Sequence, residues 1–465
     1  ERDRPGWAPL VGIAAVALAA SLSGIGNQYA YDDVHAVAQN EQLHTLAEPW
    51  RFFTQTYWPP GKFQGGATLY RPLTSLAFAV EWAIGGGHPL LFHATNILLY
   101  ALVSVAFCWV AWQLLPPIGA VVAAGLYAAH PVHVEAVANV VGQGELWVNL
   151  FTLLAVGFFL RGRQRAGETG LGHSDRLAIY ACYALACLAK DNGLILPGIL
   201  VAAELAVAGD ARPLRARLSA LASFWAVLAG VGVLYLGLRT TVTGTLAGDY
   251  PHILIGTASY AERVFTMLRV ALEWPRLLLW PAHLQADYSP LDFNRALSFG
   301  AEQLAGLAML LAFVWLTVWA RRRRPVVSFG MLWVGVAIFP VSNLLLKAGI
   351  VLAERTLFLA SAGAMLVVAA GAAALTEYGS RARQAVLGLA TGLVLLGGVR
   401  SALRQPVWKD NATLFAQTVV DAPYNYRAHW TYSLYLFEHD QREAAFLEVA
   451  TAMGLYPADP TLFSD

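Results

Sequence analysis

Long apolar runs separated by short polar stretches mark this chain from near its start to about residue 400. They lie near 8–23, 88–112, 118–129, 144–160, 176–191, 193–208, 218–238, 301–320, 326–345, 356–376 and 384–400. A helix needs roughly 17–25 apolar residues to cross a bilayer core of about 30 Å, so the pattern predicts about eleven membrane helices. The run at 118–129 is short for a crossing. Between the runs, Pro49 to Phe53 and Pro72 to Trp82 read as amphipathic or half-inserted helices, as does Ala261 to Trp280. Trp50, Tyr57, Trp58 and Tyr70 read as anchors at the headgroup level, where such rings collect.

Composition agrees with an all-α polytopic membrane protein. Of 465 residues, 57% are hydrophobic and 13% charged, against about 25% charged in an average soluble domain. That leaves too little polar surface for a chain dissolved in water. A net charge of +1 gives no reason to expect nucleic acid. Lysine occurs only at 62, 190, 347 and 409, and this preference for arginine suggests a GC-rich bacterial source. Cys108, Cys182 and Cys187 sit inside apolar runs and read as small buried residues; no disulfide or metal set is spelled. Residues 8–23 read as a retained helix, because no small-residue cleavage site and soluble domain follow.

Charge placement orients the spans, since short cytoplasmic loops collect Lys and Arg. With residues 1–7 inside, the loops holding Arg161 to Arg165, Arg212 to Arg217, Arg321 to Arg324 and Arg381 to Arg383 all fall inside too. The other face then receives loop 24–87, the His130-Pro131 corner, Lys190-Asp191, loop 239–298, loop 346–355 and the C-terminus. That arrangement predicts a bacterial inner-membrane protein with its site on the periplasmic face.

Residues 401–465 are polar enough to be soluble. Pro423-Tyr424-Asn425 and Pro457-Ala458-Asp459 are 34 residues apart, with two helical patterns between them. A helix–turn–helix period of about 34 residues is the signature of a tetratricopeptide repeat. One repeat cannot bury its own face, so either more chain follows or the piece packs on the membrane domain.

The candidate chemistry starts at Tyr29-Ala30-Tyr31-Asp32-Asp33, just past the first run. Ionisable groups at span ends are costly and therefore functional hypotheses; on the outer face they include Asp32, Asp33, Arg71, Glu81, His93, His130, His133, Glu135, Glu145, Lys190, Asp191, Arg239, Asp287, Glu354 and Arg355. Two carboxylates with several cations on one face suit a reaction with an anionic leaving group, such as sugar transfer from a lipid phosphate. A carboxylate takes the acceptor hydroxyl proton and cations stabilise the departing phosphate. Each group has a plainer reading: Asp32-Asp33 as a helix cap, Arg71 as an interfacial arginine, Glu354-Arg355 as a local ion pair, Lys190-Asp191 as a cap. In His130-x-x-His133-x-Glu135, helical geometry turns Glu135 roughly 160° from His133, which favours a hydrogen-bonded or substrate-lining histidine pair over a metal site.

Tyr31-Asp32-Asp33 with Asn40, Tyr70 to Leu76 and Phe92-His93-Ala94-Thr95-Asn96 resemble the TMTC family of transmembrane, tetratricopeptide-repeat-containing O-mannosyltransferases. The likeness continues through His130 to Val137, Leu188 to Asp191, Phe339 to Asn343, Ala353 to Leu357 and Trp408-Lys409-Asp410-Asn411, in order over nearly the whole chain. The resemblance is to a bacterial-type member. It implies a GT-C fold, with a catalytic membrane domain over 1–400 and a tetratricopeptide-like region over 401–465. It also implies a polyprenyl-phosphate hexose, most plausibly mannose, as donor, and a hydroxyl acceptor on a secreted protein guided by the repeats. Lipid or glycan acceptors, a need for a divalent metal, and a flippase function stay open. By position, Asp32 or Asp33 is the base. Arg71, Lys190 and Arg355 contact phosphate, and His93, His130, His133, Glu135, Glu145 and Glu354 line the sugar or acceptor groove. Two positions depart from the family pattern: Gln143 stands where a basic residue is common, and Phe358 and Ala360 replace the Tyr and Pro expected after Arg355.

Overall fold

Every apolar run marked above is helical over most of its length in the computed structural model, which describes residues 5–59, 69–166, 170–210, 212–246, 258–288, 295–345 and 347–456. In chain order the membrane-domain helices are α1 (Trp7–Ser21), α2 (Pro72–Gly85), α3 (Pro89–Leu114), α4 (Pro117–Ala128), α5 (Val134–Ala138), α6 (Gln143–Ala166), α7 (His173–Ala189), α8 (Leu196–Ala206), α9 (Leu214–Ala220), α10 (Ala222–Thr243), α11 (Tyr260–Val270), α12 (Glu273–Leu279), α13 (Ala301–Arg323), α14 (Pro325–Ile338), α15 (Phe358–Thr376) and α16 (Ser380–Arg404). Three more follow: α17 (Asn411–Asp421), α18 (Tyr426–Glu438) and α19 (Arg442–Leu455). No strand occurs among the described residues.

Seven described helical stretches are long and apolar enough to cross a membrane, and an eighth crossing exists if α4 and the helical stretch from Pro131 to Ala138, bent by 46°, count as one. The expected runs at 176–191, 193–208 and 326–345 form shorter helices, so the structure supports seven or eight spans where about eleven were expected. The bend falls where it must: Pro131 lacks the N–H that would continue the ladder, and His130 Nδ1 instead accepts from Val132 N at 3.3 Å.

The centre of the bundle is built from α1, α3, α4, α6, α14 and α15, while α13 and α16 present apolar sides outward. Leu311, Val314 and Val318 of α13 and Leu389, Leu396 and Leu403 of α16 are exposed, as sides that face lipid should be. Small residues let α14 and α15 approach: a methyl group added at Gly330 would lie 2.5 Å from the Gly363 carbonyl oxygen, and one at Gly363 would meet the Gly330 carbonyl. Close approach of this kind is how membrane helices gain packing without a hydrophobic driving force. We therefore expect Gly363→Ala to push the two helices apart and cost about 1–3 kcal/mol, seen as a lower unfolding temperature in detergent.

Charge gathers at both ends of α6. At its far end Arg163 is buried, with Nε and Nη2 donating to Glu204 Oε2 and Oε1 at 2.9 Å each and Nη2 to Asp210 at 2.9 Å, while Arg217 donates to the Glu204 carbonyl at 2.5 Å. Glu145 lies 18 residues earlier, about 27 Å away at 1.5 Å per residue, close to a membrane's apolar thickness. The three cysteines are buried and free.

After α16 the chain folds back on the segment that follows α1. Ser23 donates to the Ala402 carbonyl at 2.6 Å and Asn27 to the Gln405 carbonyl at 3.0 Å. Helices α18 and α19 pair, and His429 Nδ1 contacts Glu448 at 2.5 Å between them. The second turn of the expected repeat, Pro457 to Asp459, lies outside the described residues.

Candidate active site

Asp32 and Asp33 sit in a tight turn that α1 and its continuation deliver to one end of the bundle. The Asp33 N–H donates to the Ala30 carbonyl at 3.1 Å. Both oxygens of Asp33 are occupied: Oδ1 accepts from Val141 N at 2.8 Å, and Oδ2 from Val140 N at 3.1 Å and Ala30 N at 3.4 Å. Its side chain forms no helix cap; it ties the turn to the segment before α6. Asp32 points the other way, partly buried, into a cavity of about 620 Å³, and its carboxylate has no hydrogen bond or ion pair to a described residue. Of the two neighbours, one is a structural tie and the other is available.

The same cavity is lined by Arg71, Glu145, Lys190, Asp191, Arg239, Lys347 and Arg355. These come from six separated stretches: the start of α2, the start of α6, the turn after α7, the end of α10, the loop after α14 and the turn before α15. Most of the cations have an anchor. Lys190 pairs with Glu145. Arg355 pairs with Glu135, whose other oxygen accepts the Arg355 backbone N–H at 2.8 Å. Arg239 donates to Asp191 at 3.0 Å, and Tyr235 donates to the same oxygen at 2.7 Å. Arg71 differs: its guanidinium lies 4.8 Å from the Tyr57 ring centroid, and its buried Nε has no hydrogen-bond partner. A guanidinium that lines a cavity and forms no ion pair with a described carboxylate suits an oxyanion.

The cavity is amphipathic. Leu194, Ile195, Leu236, Phe339, Val341 and Ile350 add apolar lining to the charged groups. At Phe339 it meets a second groove of about 340 Å³ between α11, α12, α13, α14 and α15, lined almost wholly by carbon, with Met267, Met309 and Met331 among its walls. Among the described residues, no group of three or more His, Cys, Asp or Glu side chains is placed to hold a metal ion.

Comparison with known proteins adds a likeness. The chain is 26% identical over 494 residues to protein O-mannosyl-transferase TMTC4 of Mus musculus, covering 95% of this chain and 65% of that protein. It is 26% identical over 501 residues to its Homo sapiens counterpart, with the same coverage, and 27% identical over 492 residues to protein O-mannosyl-transferase TMTC1 of Homo sapiens, covering 96% of this chain and 55% of that one. The chain is TMTC-like. It spans 55–65% of the length of these three relatives. No family model matches it, and no solved structure matches it.

The remaining expected site residues of the TMTC-like chain are packed behind the cavity rather than in its lining. His93 Nε2 contacts the Gln28 carbonyl at 3.2 Å, and His130 Nε2 the Leu278 carbonyl at 3.0 Å. His133 lies between the Tyr100 hydroxyl at 2.9 Å and the Ser361 hydroxyl at 2.8 Å. Glu135 acts through Arg355, as described. Glu354 is turned from its sequence neighbour Arg355 and accepts from Gln285 N at 2.6 Å and the Tyr288 hydroxyl at 2.9 Å. The local ion pair Glu354-Arg355 therefore does not form. Of the aromatics read as interfacial anchors, Tyr57 and Tyr70 are buried: Tyr57 supports Arg71, and Tyr70 donates to the Phe53 carbonyl at 2.9 Å.

Both departures from the family pattern have structural answers. Gln143 is buried away from the cavity, donating to Glu81 at 2.8 Å and to Asn96 Oδ1 at 3.2 Å. Asn96 in turn donates to the Asn139 carbonyl at 3.0 Å, so this cluster shapes the turn whose N–H groups hold Asp33. Phe358 fills its corner with an aromatic ring 4.4 Å from His133 and 5.8 Å from Tyr127. Residues beyond the expected site also contribute. Asp191 and Arg239 line the cavity with Tyr235 donating to Asp191 from behind, and Asn343, at φ 56°, bonds Ala348 N at 2.8 Å and the Ile350 carbonyl at 2.9 Å, which pins a loop that also lines the cavity. The sequence already marks Asp191 and Arg239 as ionisable groups at span ends, though without a role in the reaction.

Proposed function

We propose that this chain is an inverting glycosyltransferase of GT-C type that moves a hexose, most plausibly mannose, from a polyprenyl phosphate to a Ser or Thr hydroxyl of a secreted protein, on the non-cytoplasmic face. The observation that carries the reading is the cavity in which an unengaged carboxylate, Asp32, faces Arg71, Lys190 and Arg355. Asp32 accepts the acceptor hydroxyl proton as that oxygen bonds to the anomeric carbon. The bond from that carbon to the phosphate oxygen breaks on the opposite side, its electron pair leaving with the polyprenyl phosphate. The charge that grows on the phosphate is met by Arg71, Lys190 and Arg355. One base and one displacement invert the anomeric centre. The apolar lining and the groove adjoining it at Phe339 suit the isoprenoid chain, and the relatives named protein O-mannosyl-transferase support a protein acceptor. The region 401–465 presents that acceptor as a tetratricopeptide-like surface.

The test is transfer of label from polyprenyl-phosphate [³H]mannose to envelope protein by the purified chain in detergent. Label released by β-elimination as reduced mannitol is the expected result; label that stays in lipid, or none transferred, overturns the reading.

The pH profile follows from the base. Burial raises the Asp32 carboxyl above its ordinary value, while Arg355, Arg71, His35 and Arg427 pull it down. A general base works deprotonated, so activity is present above its pKa and lost as pH falls through it. The acid limb of kcat/KM is therefore expected above the ordinary Asp value of about 3.9, and Arg71→Met, by removing one of the downward influences, moves it higher still. A limb that stays put in Arg71→Met counts against Asp32 as the titrating group.

A further inference from the structure

One backbone feature beside the proposed base has an unusual partner. Tyr31, the residue before Asp32, has φ 54°, in the left-handed region where a side chain crowds the following carbonyl and which tyrosine adopts only when its surroundings demand it. Its N–H donates at 2.7 Å to Asn411 Oδ1, 380 residues further along the chain. Asn411 opens α17, directly after its cap Asp410, whose carboxylate accepts from Thr413 N at 2.8 Å and the Thr413 hydroxyl at 2.7 Å. Nearby, Gln28 N donates to the Lys409 carbonyl at 2.7 Å, and the Tyr31 ring meets Phe415 edge-on at 6.1 Å.

The turn is therefore held from both sides of Asp32. Asp33 is fixed from behind by the Val140 and Val141 N–H groups. Tyr31 is fixed from in front by a side chain belonging to the C-terminal helices. Asp32, between them, has no hydrogen bond or ion pair to a described residue, so its direction is set mainly by the backbone on either side. Without the Asn411 acceptor, Tyr31 is free to return to negative φ, and the rotation falls on the peptide that joins it to Asp32.

We infer that Asn411 is a positioning residue for Asp32: from the first turn of α17 its side-chain oxygen keeps Tyr31 left-handed and so aims the carboxylate into the cavity. This rests on the proposed role of Asp32 as base. It makes the junction to the C-terminal helices part of the catalytic geometry, whatever those helices bind.

The test compares five variants in the same transfer assay. Asn411→Ala lowers kcat about 10- to 100-fold, the scale of a misplacement of about 1 Å, with donor KM within about twofold because the cations are untouched. Asn411→Asp, which keeps an oxygen acceptor, restores most of the rate. Asp410→Ala removes the cap of α17 but not the contact to Tyr31, and leaves kcat near wild type. Tyr31→Gly supplies a residue that takes positive φ freely, so adding Asn411→Ala to it costs less than about threefold. Wild-type kcat in Asn411→Ala overturns the inference, as does an equal loss in Asp410→Ala or the full loss again on the Tyr31→Gly background. If Asn411→Ala does not fold, the Asn411→Asp and Tyr31→Gly comparisons decide. Failure of the base assignment is separate: it shows as an active Asp32→Asn, or as a wild-type chain that transfers nothing.

Discussion

Asp32→Asn lowers sugar transfer about 10²–10⁴-fold and leaves the protein as stable as before. The carboxylate faces the cavity without a hydrogen bond or ion pair to a described residue, so an amide of the same shape disturbs nothing that holds the fold. It cannot take a proton at neutral pH, however, and loss of a general base costs about 10²–10⁴ in rate. Asp33→Asn behaves in the opposite way. An amide in place of Asp33 has one acceptor oxygen for three N–H donors, and turns its own NH₂ toward at least one of them. A buried donor without a partner costs about 1–3 kcal/mol. Asp33→Asn therefore unfolds at lower temperature, and its loss of rate comes through displacement of Asp32. Transfer assays with thermal unfolding in detergent separate the two. Equal rates in Asp32→Asn and wild type would remove the proposed mechanism, and an unchanged melting temperature in Asp33→Asn would contradict the structural role of that carboxylate.

The contrast between these neighbours shows where sequence reading ends. The apolar runs were legible because a long stretch without charge has few other folds open to it, and each marked run is helical. Their number was less so: α14 is apolar but short, α7 and α8 are also shorter than a full crossing, and run length is what separates a crossing from a partial insertion. The cluster Asp32, Arg71, Lys190 and Arg355 was legible through charges at span ends and through resemblance. Which aspartate is tied was not, because the tie comes from Val140 and Val141, 107 and 108 residues away. The same holds for Arg355. Its sequence neighbour Glu354 is the obvious partner, yet Glu135, 220 residues earlier, takes it. For His93, His130 and His133, chemistry-bearing residue types near a span end suggested a groove. The fold uses their ring nitrogens to meet backbone carbonyls and hydroxyls between packed helices, a need that spacing along the chain does not reveal.

Arg71→Ala and Arg355→Ala should lose similar amounts of activity and very different amounts of stability. Each removes one cation from the side of the cavity where the leaving phosphate gathers charge, and loss of one preorganised donor to such a charge costs about 10²–10³ in kcat. Arg71 lies over the Tyr57 ring and forms no ion pair with a described carboxylate, so its removal costs at most the cation–π contact, up to about 2 kcal/mol when desolvated. Arg355 is different: the Glu135 side chain is 1% exposed, and without Arg355 it keeps a buried charge with no counter-ion. Breaking a buried pair from one side costs about 3–5 kcal/mol. The double variant Arg355→Ala with Glu135→Gln removes the stranded charge as well. Its stability should return most of the way to wild type while its transfer rate stays low, since neutralising Glu135 supplies nothing to the phosphate. A double variant that regains transfer along with stability would mean that Arg355 serves the fold alone, and that the phosphate is met by Arg71 and Lys190.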